Sequence, residues 1–158
     1  MKSFFQKLFL STVLLFSLDF CNVSAQSTVY FFVDFRFWNG EYVFMANGNK
    51  AFSLIPEGKP VNKDSETLFY NMVARKVTFT NSGSYVMAVD CPSPRGILHA
   101  ELNLNLEDGE TYYVLINSTL KRNFYMENLE EKDGLKLLKK AQKSNKYTIN
   151  DDFIYNGK

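Results

Sequence analysis

Few side chains in this sequence are suited to chemistry, and their spacing narrows what they could do. His99 is the single histidine. If its segment is a strand, Glu101 shares its face, which puts an imidazole and a carboxylate at i and i+2. A zinc site takes three or four such ligands, so this pair alone reads as a solvated histidine beside a solvated glutamate. The carboxylates Glu130-Glu131 and Asp151-Asp152 are adjacent in sequence. Cleaving a glycosidic bond needs two carboxyls held across a cleft at a set separation, whereas neighbours on a helix start or a tail read as capping or solvated groups. A hydrolase would require a cleft gathering Glu101, Asp108 or other carboxylates. Asp108-Gly109 and Asp133-Gly134 resemble fragments of calcium loops but lack the alternating oxygen ligands. The chain has no nucleophile-elbow pattern for a serine and no glycine-rich phosphate cradle. The expectation is a protein without catalytic residues, metal or cofactor.

The two cysteines belong to different parts of the chain. Lys2 and Lys7, the apolar run Leu8 to Leu18 and the small residues Val23-Ser24-Ala25 before Gln26 follow the order of a secretory signal peptide. The run is about half the roughly 20 residues of a spanning helix, so residues 1–25 read as a cleaved signal and the address as secreted, periplasmic or cell envelope. Cys21 raises the alternative of a lipid anchor, but Asp19 and Phe20 before it are not the small residues such signals use. With cleavage after Ala25, Cys91 is the only mature cysteine. The alternation Tyr85, Met87, Val89, Cys91 sets it on the apolar side of a strand as a small hydrophobe.

Loss of Lys2, Lys7 and Asp19 with the signal leaves 133 residues carrying 16 basic and 16 acidic groups. That balance gives no electrostatic footprint for nucleic acid and no net drive toward anionic lipid. Aromatic residues make up 16% of the whole chain, and they supply the only functional colour. Tyr30, Phe32 and Trp38 lie on the second face of the first strand, with Tyr42 and Phe44 across the turn. Exposed, the rings of Trp38, Tyr42 and Tyr30 would stack on a sugar or grip a protein. Alternatively, that strand is buried on both faces between a sheet and a helix.

The positioning elements follow from periodicity. Residues 28–38 alternate over aromatic and β-branched positions, which predicts a strand. Asn39-Gly40 and Asn47-Gly48 are two-residue hairpin signals, so strands are expected at 41–46 and 51–55. Residues 56–65, with two prolines and a glycine, read as a loop. Further strands are expected within 67–80, 85–91, 98–106, 111–117 and near 124–126. In 98–106, Leu98, Ala100, Leu102 and Leu104 oppose His99, Glu101 and Asn103, one face on a core and one wet. The adjacent pair Tyr112 and Tyr113 must point to opposite faces. Residues 130–143 change to helical spacing, acidic early and lysine-rich late, an order that suits the macrodipole, although Gly134 weakens the first turn. Lys136, Lys139, Lys140, Lys143 and Lys146 form its basic stripe. The state of 147–158 is left open.

Together these features predict a mainly β protein, one antiparallel sandwich of seven to nine strands over 26–158 with a short C-terminal helix. Gly83-Ser84-Tyr85, the amphipathic run Leu98 to Leu106, Glu107-Asp108-Gly109-Glu110-Thr111-Tyr112-Tyr113 and Gly134-Leu135-Lys136-Leu137-Leu138-Lys139-Lys140 resemble a family of small secreted bacterial proteins. That family is similar to transthyretin-like and carboxypeptidase-regulatory sandwiches. The resemblance implies a fold and an extracytoplasmic address and brings no catalytic residue with it. The functional expectation is a non-catalytic binding or accessory module for an unknown protein or glycan, with a carbohydrate-binding module using exposed aromatics, or a hydrolase, as alternatives.

Overall fold

Alternating apolar positions turn most of the chain into strands, and the turns between them set the order of pairing. The computed structural model describes residues 26–33, 41–60, 68–93, 96–118 and 124–157. The described strands are β1 (Ser27–Val33), β2 (Tyr42–Ala46), β3 (Asn49–Leu54), β4 (Gly58–Pro60), β5 (Leu68–Tyr70), β6 (Met72–Phe79), β7 (Gly83–Ser93), β8 (Gly96–Leu106), β9 (Thr111–Ser118), β10 (Phe124–Asn128), β11 (Tyr147–Ile149) and β12 (Phe153–Tyr155). The helix α1 spans Glu131–Lys143 between β10 and β11. The larger sheet runs β10-β9-β1-β6-β11, with β12 also on β6; the smaller runs β3-β2-β7-β8; and β4 and β5 form a separate ribbon. The expected signal, residues 1–25, and the expected Asn39-Gly40 turn lie outside the described residues.

The mainly β class and the one short helix among the described residues are as the sequence predicts. The two sheets hold ten strands rather than seven to nine, because the C-terminal segment supplies β11 and β12. Part of the expected 56–65 loop also pairs, as β4 on β5. Nor is the larger sheet purely antiparallel: β1 runs parallel to β9, and β11 and β12 run parallel to β6. Tight hairpins force antiparallel neighbours, whereas strands far apart in sequence meet in either direction, and all three parallel pairs join strands of that kind.

The sheets face one another across a core in which Val29, Phe31, Val33, Phe44, Val77, Phe79, Met87 and Val89 are fully buried. The Phe31 and Phe44 rings meet edge-on at 5.1 Å across it. On the opposite face of β1, Phe32 is fully buried and joins Tyr113, Met72, Ala74 and Tyr147 beneath α1, with Tyr30, Leu137 and Leu138 packed at the margin. The first strand is therefore apolar on both faces because it sits between a sheet and a helix.

Close approach of α1 has one geometric condition. A Cβ at Gly134 would lie 2.1 Å from Cγ of Tyr113, so the helix rests its backbone directly on that ring. The Asn47-Gly48 turn takes the two positive φ angles of its hairpin type, 51° and 79°. The Asn47 side-chain carbonyl then accepts the Val86 N–H at 2.9 Å, pinning the turn to β7. At the other edge Arg75 of β6 joins three segments. Its Nε donates to the Asp151 carbonyl and its guanidinium to the Ser53 carbonyl, both at 2.7 Å, and it lies 5.5 Å from the Phe153 ring centroid.

Candidate functional site

The three aromatic residues predicted as a contact surface do not form one among the described residues. Tyr42 is 2% exposed, its inward position on β2 placing it in the core near Cys91. That is a correction to its reading as a surface ring: Tyr42 shares its side of β2 with the fully buried Phe44. Tyr30 is half-buried and stacks on Tyr113, centroids 5.6 Å apart and planes within 10°, so one of its faces is already occupied. Trp38 lies outside the described residues. Cys91 is fully buried, as its alternation predicts, and burial pushes its thiol up to about 11.

The outer face of the smaller sheet carries the one cluster of ionisable groups bonded to a histidine. β7 and β8 pair along their whole length, and their register sets Asp90 opposite His99. His99 Nδ1 lies 2.7 Å from an Asp90 carboxylate oxygen, and Nε2 lies 3.1 Å from one of Glu101. A neutral imidazole donates from only one nitrogen, so both contacts are hydrogen bonds only when the ring is protonated. The two acceptors, Asp90 first and Glu101 second, raise the His99 pKa above its ordinary value, against a small opposing effect of burial. Sequence reasoning paired His99 with Glu101 and missed Asp90. The register that brings it in runs back from the Ser93–Gly96 pair to the Asp90–His99 pair.

The same register shows what this cluster does not have. Ser53 is opposite Val43, Val43 is opposite Asp90, and Asp90 is opposite His99. That places the Ser53 backbone three strand spacings, about 14 Å, from His99, and its hydroxyl donates to Glu41. Ser84, on the same face of β7, is six residues from Asp90, about 20 Å. Neither hydroxyl reaches the imidazole as a nucleophile must. The two ring nitrogens point at different carboxylates, and among the described residues no three His, Cys, Asp or Glu side chains gather as a metal would require.

Glu101 precedes the end of β8 by five residues, about 16 Å, and Asp108 lies beyond it in the next turn, outside the roughly 10 Å reach of two-carboxylate sugar chemistry. The backbone carbonyl of Asp151 accepts from Arg75, and Asp152 pairs with Lys76 at 3.4 Å. Glu131 and Asp133 sit in the first turn of α1, where the helix dipole favours them. At the other end of α1, Lys139, Lys140, Lys143, Ser144 and Asn145 line a shallow open depression. Among the described residues no helix is long and apolar enough to cross a membrane. Comparison with protein-family models and with curated proteins finds no match to this chain.

Proposed function

We propose that this protein is an extracytoplasmic binding or accessory module that works by contact rather than by catalysis. The observation that carries the reading is the location of its reactive side chains. The only imidazole is held between two carboxylates on an open sheet face, out of reach of the Ser53 and Ser84 hydroxyls, and the thiol of Cys91 is sealed in the core. The signal-like residues 1–25 supply the address, and the resemblance to small secreted sandwiches agrees with it. A sugar platform built on aromatic stacking loses Tyr42 to the core and one ring face of Tyr30 to its stack on Tyr113.

The test is fractionation followed by binding. Expressed from its full sequence in a secreting host, the protein should appear outside the cytoplasm with Gln26 as its first residue by mass spectrometry. The purified 26–158 protein should then be retained on isolated cell envelope or extracellular matrix, saturably and in competition with unlabelled protein. Recovery only in the cytoplasm with residues 1–25 intact, or no saturable retention, would overturn the proposal. A lipidated Cys21 would replace the cleaved form with an anchored one.

A further inference from the structure

The overall charge balance conceals a strong local separation. At about 100° per residue, Lys132, Lys136, Lys139 and Lys143 fall within an arc of about 60°. The midpoint of that arc is about 180° from that of Gly134 and Ala141, the residues α1 buries. All four side chains are exposed, with Lys140 and Lys146 exposed alongside. The ion pairs of Lys50, Lys76 and His99 lie elsewhere and take in none of Lys132, Lys136, Lys139 and Lys143, while Lys140 beside them sits 5.7 Å from the Tyr147 ring centroid. Lys132 and Lys136, Lys136 and Lys140, and Lys139 and Lys143 are like charges four residues apart, a spacing that destabilises a helix. Dipole compensation accounts for cations in the last turn only; Lys132 and Lys136 lie outside it.

We infer that the outward face of α1 is a docking strip for a linear acidic polysaccharide, with one carboxylate or sulfate per sugar. This deepens the binding-module reading and rests on it. The four ammonium groups follow a straight line of about 16 Å, one charge per helical turn of about 5 Å, and a pyranose chain repeats its charge on the same scale. The strip ends in the depression beside Ser144 and Asn145, where a hydroxyl and an amide join the lysines. Every cation in it is lysine, a point charge without the bidentate fork of arginine, so the fit is to charge density and spacing. A bilayer is the poorer occupant. Helices that lie in a membrane interface bury an apolar face there, and this helix has committed its own to Tyr113 and Phe32, leaving only Leu135, 37% exposed, at the side.

The test uses the 26–158 protein on immobilised polygalacturonate, dextran sulfate and neutral dextran, on phosphatidylglycerol vesicles and on duplex DNA. Binding is expected to the two acidic polysaccharides and not to neutral dextran, weakening steeply as salt rises. A Lys132→Gln, Lys136→Gln, Lys139→Gln, Lys143→Gln variant should lose roughly a hundredfold in affinity at low salt. Its urea midpoint should stay equal or rise, since like-charge repulsion is relieved, and that measurement separates lost binding from lost folding. Unchanged binding by the variant, equal retention on neutral dextran, or tighter binding to vesicles or DNA than to both polysaccharides would overturn the inference. If the wild type is retained on envelope but on neither acidic polysaccharide, the inference fails and the binding-module proposal stands. If it is retained on none of them, both fail.

Discussion

Replacing Gly134 by alanine sets two energies of opposite sign against each other. Inside a helix the change gains about 1 kcal/mol of intrinsic propensity, and at most exposed positions that gain is realised. Here the new Cβ would meet Tyr113 Cγ at 2.1 Å and both Cβ and Cδ2 at 2.5 Å. These atoms are the root of the ring, fixed to the backbone of β9, so they cannot swing aside as a side-chain tip would. The helix must instead retreat by at least roughly 1 Å before the carbons reach their usual separation of about 3.5–4.0 Å. Retreat loosens Phe32, Ala141, Leu137 and Leu138 together, because all pack in the same layer. Overpacking of this kind costs about 1–3 kcal/mol, which matches or exceeds the propensity gain and leaves Gly134→Ala destabilised by up to about 2 kcal/mol. The assay is urea unfolding of the 26–158 protein followed by circular dichroism. The decisive control is the same change in a Tyr113→Ala background, where the obstacle is gone and alanine should stabilise by about 1 kcal/mol. A Gly134→Ala protein more stable than wild type would refute the argument that the glycine is there for close approach.

Three further outcomes follow from the same geometry. The His99 pKa is raised in the folded state, so its stabilising contribution is fully present below the unfolded value near 6.5 and is lost as pH rises through the folded one. Because the ring is half exposed, that contribution is about 0.2–1 kcal/mol. Urea midpoints at pH 5.5 and 8.5 should differ more in wild type than in His99→Gln, and identical pH dependence in the two would contradict it. Cys91, buried with its thiol pushed up to about 11, should react with a thiol reagent at pH 8 at least about a hundredfold more slowly than free cysteine, until urea unfolds the protein. Labelling at the free-thiol rate would show the strand open there. Arg75→Met should cost about 2 kcal/mol through its lost charged hydrogen bonds to Asp151 and Ser53. Amide exchange should quicken first in 147–155; uniform exchange across the domain would remove Arg75 as the clasp of the C-terminal strands.

Lys136, Lys139 and Lys143 were legible in the sequence as part of a basic stripe on the helix's solvent side, whereas Lys132 was not read with them. Helical spacing gives the angle between residues and leaves open which side is covered; the docking of Gly134 and Ala141 on the sheet then fixes the lysines as the outward side. The His99 cluster was half legible in the same way, since Glu101 shares a strand with it whereas Asp90 arrives from the neighbouring one.

The sequence by itself determined the strand periods, the Asn47-Gly48 turn, the position and polarity of the helix, the inward cysteine and the mainly β class. Each is a local property, set by side chains within a few residues of one another. Only the tertiary structure decided that β1 is covered on both faces, that Tyr42 and Tyr30 are packing rings, that β9, β11 and β12 add in parallel, and that Gly134 belongs against Tyr113. These outcomes depend on partners distant in the chain. Alternation says which residues share a face, and only a neighbouring sheet or helix says whether that face is buried or left to water.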